Sequence, residues 1–127
     1  MAELAFIGRL ILGLFFLYNG VNHFVHYGAM KGYAAFKHIP LPGFAVILSG
    51  LMMLYGGILL ILGTGTGSAV LVLVVALLAF AFALHNYWAV SDAQARQVDQ
   101  INFFKNWALV GALLALLQSS PTVWWLH

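Results

Sequence analysis

Residues 69–84 read AVLVLVVALLAFAFAL, and the way this apolar run satisfies its backbone decides the fold. Within hydrocarbon every N–H and C=O must bond inside the protein, so only helices and closed barrels cross a bilayer. Barrel strands alternate apolar and polar residues, and this run does not alternate. It reads as a helix over 68–90. A crossing helix needs roughly 20 mainly apolar residues, and 4–27, 44–63 and 103–120 also qualify. Of 127 residues, 64% are hydrophobic and 6% charged, where a soluble domain carries about 25% charged residues. Mean hydropathy is +1.00. The expected fold is all-α: an integral membrane four-helix bundle forming a single transmembrane domain over 1–127.

The first stretch reads as a permanent span, because Glu3 stands where a secretion signal carries basic residues and no small-residue cleavage pattern follows. The chain has no cysteine, which excludes disulfide exchange, iron–sulfur ligation and thiolate catalysis. Five Lys and Arg against three acids give a net charge of +2, too few cations to follow a phosphate backbone. The expected partners are the lipid bilayer and other membrane subunits or a second copy, with no nucleic acid.

The connection over 28–43 holds Lys31 and Lys37 among aromatic and small residues, then Pro40 and Pro42. It reads as a short amphipathic element at the interface, ended where proline blocks helix. The connection over 63–67, Gly-Thr-Gly-Thr-Gly, implies a tight hairpin. The polar connection over 91–102 is expected to continue helically out of the membrane. Arg9, Lys31, Lys37 and Arg96, with Trp124 and Trp125 near the end of the chain, are read as interface or headgroup anchors. Arg9, in particular, is expected to snorkel to headgroups, the alternative being a carbonyl or Gln118 in the bundle interior. Lys31, Lys37, Arg96 and Lys105 share one side, so the positive-inside rule puts both termini outside.

Asn19, Asn22, His23 and His26 fall at i, i+3, i+4 and i+7, one face of a helix. The same end of the bundle receives His85, Asn86, Trp88, Lys105 and Asn106. Any one of them fits a helix end meeting water. Together they point to a shared polar pocket, because ionisable groups in spans face an interior or a wet cavity and pair with each other. His23 or His26 with His85 could clamp a haem iron, yet no span carries a carboxylate or a third placed imidazole. Haem and metal are therefore not expected. Gly13, Gly20, Gly50, Gly56, Gly57 and Gly111 are read as close-packing positions between helices.

Several motifs resemble the DoxX family of small four-helix membrane proteins. They are Gly8-Arg9-x3-Gly13, Asn22-His23-Phe24, Met30-x-Gly32-Tyr33-Ala34, Pro40-x-Pro42, Gly50-x5-Gly56-Gly57 and Gly63, then His85-x2-Trp88, Asp92-x3-Arg96 and Asn102-Phe103-x-Lys105-Asn106-x-Ala108-Leu109-x-Gly111. Many members carry Lys where His23 stands, Glu where Met53 stands and Glu at the position of Gln100. The resemblance implies a link to quinone-dependent oxidoreductase complexes, in a bacterial cytoplasmic (inner) membrane.

The expected function is that of an accessory subunit of a membrane redox complex, with quinone as the ligand its polar pocket would hold. A quinone headgroup needs hydrogen-bond donors to its two carbonyl oxygens inside an apolar, aromatic-lined cleft; His23, His26, His85, Asn86 and Lys105 can donate, and Tyr18, Tyr27, Tyr87 and Trp88 can line it. A structural or assembly protein without a ligand is the alternative, and a small transporter a more distant one, since no broken midplane helices or inverted repeats are visible. Catalysis by this chain alone is not expected, because its histidines lack an orienting carboxylate within a span.

Overall fold

The computed structural model describes residues 2–119. Five helices follow one another: α1 (Ala2–Val25), α2 (Tyr27–Phe36), α3 (Pro42–Leu62), α4 (Thr66–Ala83) and α5 (Ala93–Ser119), with a 3₁₀ turn at Tyr87–Ala89 between the last two. Among the described residues, four segments are long and apolar enough to cross a membrane. Their outward faces carry large apolar side chains such as Ile11, Ile58, Leu71 and Leu114, each at least 45% exposed. Such a surface would aggregate in water but is what lipid tails require. The protein is an all-α membrane bundle.

The boundaries follow local chemistry. Between α1 and α2 only His26 leaves helical geometry, and the ladder runs on through Met30 N–H to the His26 carbonyl at 3.0 Å. Helix α2 ends in a Schellman turn: His38 N–H donates to Ala35 O and Ile39 N–H to Ala34 O, both at 3.0 Å, with His38 in the left-handed region at φ 62°. Pro40 then prevents resumption, and Pro42 opens α3 at its first turn. Gly63 and Gly65, at φ 71° and 59°, make the tight α3–α4 hairpin.

The third span ends sooner than expected. Helix α4 stops at Ala83 rather than running to residue 90. No glycine or proline marks the break. Instead the chain folds back so that Tyr87 and Trp88 meet Phe103 edge-on, with ring centroids 5.5 and 5.4 Å away, while Phe82 packs on Trp88, Phe103 and Trp107. Helix α5 starts ten residues before the expected 103, after Asp92, whose Oδ2 accepts Ala95 N–H at 2.9 Å as an N-cap.

Helix α1 packs on α3, α3 on α4 and α4 on α5, with α2 lying against α3. The core is formed by Phe16, Met53, Leu60, Val70, Leu73, Leu77, Val110 and Leu113. Arg9 corrects the expectation of snorkelling: it is only 5% exposed. Its Nε donates to Leu60 O at 3.3 Å and an Nη to Thr66 Oγ1 at 2.7 Å. Desolvating a guanidinium is tolerated when its fork is satisfied, and here the fork closes the α3–α4 hairpin against α1.

Candidate functional site

Helices α1 and α5 make no interface comparable to the others, and the space between them belongs to a cavity of about 740 Å³. Its walls come from all five helices and the segment after α4. They are mostly apolar, including Phe15, Met30, Val46, Met52, Met53 and Phe80. Asn19 and His23 enter from α1, His26 from its junction with α2, His85 from the turn after α4, and Lys105 and Asn106 from α5. These six expected residues are brought together. The His23 ring stacks on Phe80 at 6.0 Å between centroids, and its Nδ1 lies 2.7 Å from the Asn19 backbone oxygen, one turn back.

Behind His85 stands a carboxylate that sequence reasoning left in a solvent connection. Asp99, on the first turns of α5, is 6% exposed. Its Oδ1 lies 3.2 Å from His85 Nδ1 and its Oδ2 accepts Lys37 Nζ at 2.7 Å. Tyr33 Oη reaches both Asp99 Oδ1 and the Leu84 carbonyl at 3.4 Å, and Lys37 Nζ reaches Asn86 Oδ1 at 3.5 Å. Burial first, then the charge and hydrogen bond of Asp99, pushes the Tyr33 hydroxyl above its ordinary pKa. Tyr33 thus remains a donor. The network joins α2, the post-α4 turn and α5 around one acid.

Two expectations are corrected here. His85 does have an orienting carboxylate, and Lys37 is not a free headgroup anchor, since its side chain is 11% exposed and ion-paired. The signal for Asp99 was present but needed the true start of α5. From Asp99, steps of seven, four and three reach Asn106, Val110 and Leu113, all buried, so Asp99 occupies the inward face of that helix.

The remaining expected residues lie elsewhere. Asn22 does not line the cavity. Asn86 lines a neighbouring recess with Lys37, Asp92 and Asp99. Trp88, 51% exposed, belongs to the aromatic cluster on α5. Lys31 and Arg96 are exposed, the former 6.0 Å from the Tyr27 ring centre. Trp124 and Trp125 lie outside the described residues. Among the described residues no group of three or more His, Cys, Asp or Glu could hold a metal ion.

Chemically, the cavity offers an apolar volume with imidazole, amide and ammonium groups, and one imidazole backed by a carboxylate. That combination suits an amphiphile with a polar ring at one end. No match is found to a curated protein or to a solved structure. The DoxX family model matches residues 4–86, which takes in α1 to α4 and every cavity residue through His85, and stops short of the resemblance noted over 102–111. With the match spanning well over half of its length, the chain belongs to the DoxX family.

Proposed function

We propose that this DoxX-family membrane protein is an accessory subunit of a quinone-linked redox complex, and that its cavity holds the quinone ring. The observation that carries the reading is the cavity itself: about 740 Å³, largely apolar, with His23, His85, Lys105 and Asn106 among its polar walls. Ligand pockets for small molecules fall in this range, with a few placed polar groups fixing orientation. Purification from native membranes in mild detergent, with mass spectrometry of co-purifying proteins and lipids, tests it. An oxidoreductase partner or bound quinone supports the reading; recovery alone and ligand-free counts against it. His85→Ala is expected to weaken binding of the quinone-class ligand, measured with its reduced, hydroxyl-bearing form, about tenfold, the loss of one hydrogen bond to a polar ligand atom. Unchanged affinity would remove His85 from the site.

The Asp99 network favours a second reading, in which the polar groups only hold the helices together. His85 already has a partner in Asp99. On that reading His85→Ala lowers stability or alters assembly and leaves the affinity for the reduced, hydroxyl-bearing ligand untouched.

The proposed location is a bacterial cytoplasmic membrane with the termini outside. Exposed Lys31, Arg96 and Lys105 lie towards one end of the spans, and the positive-inside rule puts that end in the cytoplasm. In inside-out vesicles, a single cysteine replacing Lys31 in this cysteine-free chain should react with a membrane-impermeant maleimide. Reaction only in right-side-out vesicles would reverse the orientation.

A further inference from the structure

The hydrogen bonds around the cavity fix which atoms its polar residues can offer a ligand. His23 Nδ1 lies 2.7 Å from the Asn19 backbone oxygen, and a carbonyl has no hydrogen to give, so Nδ1 carries the proton. In the neutral ring Nε2 is then a bare acceptor. His85 repeats the arrangement, its Nδ1 facing the Asp99 carboxylate at 3.2 Å, which can only accept. Asn19 donates one of its two Nδ2 hydrogens to Phe15 O at 2.8 Å; its other N–H stays available to a ligand beside the acceptor Oδ1. None of the three acceptor atoms has a hydrogen-bond partner among the described residues.

The cavity lining contains no acid. The single charge of Asp99 is already matched by Lys37 at 2.7 Å, and Lys105 lines the same cavity. A further cation on His85 would be unpaired in an apolar setting, which is costly.

From this geometry we infer that the cavity selects the hydroxyl-bearing, reduced form of its ligand, a quinol, over the corresponding quinone, through His23 Nε2, His85 Nε2 and Asn19 Oδ1. The inference rests on the quinone-class reading above and deepens it. A quinone oxygen only accepts, so against these atoms it sets lone pair against lone pair and leaves polar groups on both sides unpaired. A quinol donates two hydrogens, and its oxygens can still accept from Lys105 or the Asn106 amide. Those two donors serve either form. The discrimination therefore arises at the acceptors, and sites that hydrogen-bond a ligand hydroxyl discriminate strongly against analogues without it.

The test is equilibrium binding to the full-length protein in nanodiscs under argon. Three probes are compared: a decyl-substituted benzoquinol, its quinone, and the dimethyl ether of the quinol, which keeps the ring but has no hydrogen to donate. The quinol is expected to bind about tenfold tighter than either of the others. In a folded His23→Phe/His85→Phe variant that preference should fall towards unity. Equal or tighter quinone binding by the native protein, or a preference that survives in the folded double variant, overturns the inference while the quinone-class reading stands. Failure of all three probes to bind overturns both. The native comparison decides the matter even if the double variant does not fold.

Discussion

Asp99→Leu is expected to lower the unfolding free energy by about 3 kcal/mol, at the lower end of what breaking a buried ion pair costs. The acid is the meeting point of Lys37 at 2.7 Å, His85 at 3.2 Å and Tyr33 at 3.4 Å. Removing it leaves an ammonium with no opposite charge, facing only the Asn86 amide oxygen at 3.5 Å, an imidazole N–H without its acceptor, and a hydroxyl with only the Leu84 carbonyl at 3.4 Å. Lys37 can partly escape to water along its flexible stem, which is why the lower end applies. The companion variant carries the logic. In Lys37→Met/Asp99→Leu no charge is stranded, and most of the loss should be recovered. SDS-induced unfolding in detergent micelles, followed for the wild type, both single variants and the double, reads all four corners of the cycle. A double variant losing at least the sum of the two singles would show that the pair is not a unit.

The same residues show what the sequence could and could not disclose. The spans were legible because hydropathy alone sets them, and the proline and glycine punctuation at Pro40, Pro42, Gly63 and Gly65 was read correctly for the same local reason. The end of α4 was not legible. Residues 84–86 contain no helix breaker, and the chain turns there through long-range contacts: Tyr87 and Trp88 on Phe103, and His85 on Asp99. Because the start of α5 was set at 103, Asp99 fell outside any span and its pairing with Lys37, 62 residues earlier, had no local trace. The α1 stripe was largely legible, since helical spacing puts Asn19, His23 and His26 on one face, and all three line the cavity. For Arg9 the interior alternative, a carbonyl, prevails over snorkelling, and its partners, the Leu60 carbonyl and Thr66 hydroxyl, have no local trace because they belong to another hairpin.

Glycine packing was a composition-level expectation that the structure separates position by position. A Cβ on Gly57 would come within 2.8 Å of Leu17 N and 2.9 Å of Gly13 O, and one on Gly13 within 3.0 Å of Gly57 O. These are backbone atoms that no rotamer change can move. Gly111, by contrast, has nothing within 4 Å of such a Cβ, so the expectation of close packing there is corrected: its helix face is open. Helices in lipid gain little from apolar burial against one another, and small residues let their backbones approach.

Gly57→Leu is accordingly expected to be the most damaging single substitution in the bundle, leaving little folded protein in the membrane fraction. Gly57→Ala, with one added carbon, should cost about 1–3 kcal/mol, the usual range for overpacking. Gly111→Ala is the control, equally a new methyl on a helix but in open space, and no loss of stability is expected from it. Folded yield and SDS-unfolding midpoints for the three variants decide the matter. Gly57→Ala as stable as Gly111→Ala would mean that α1 and α3 do not approach as closely as described. The consequence reaches the cavity. Asn19 and His23 stand on α1 within two turns of Leu17, so a Gly57→Ala protein that folds with α1 displaced from α3 should lose ligand affinity although no cavity residue has changed. Binding lost in Gly57→Ala and kept in Gly111→Ala would trace the polar wall of the cavity to this glycine contact rather than to the polar residues alone.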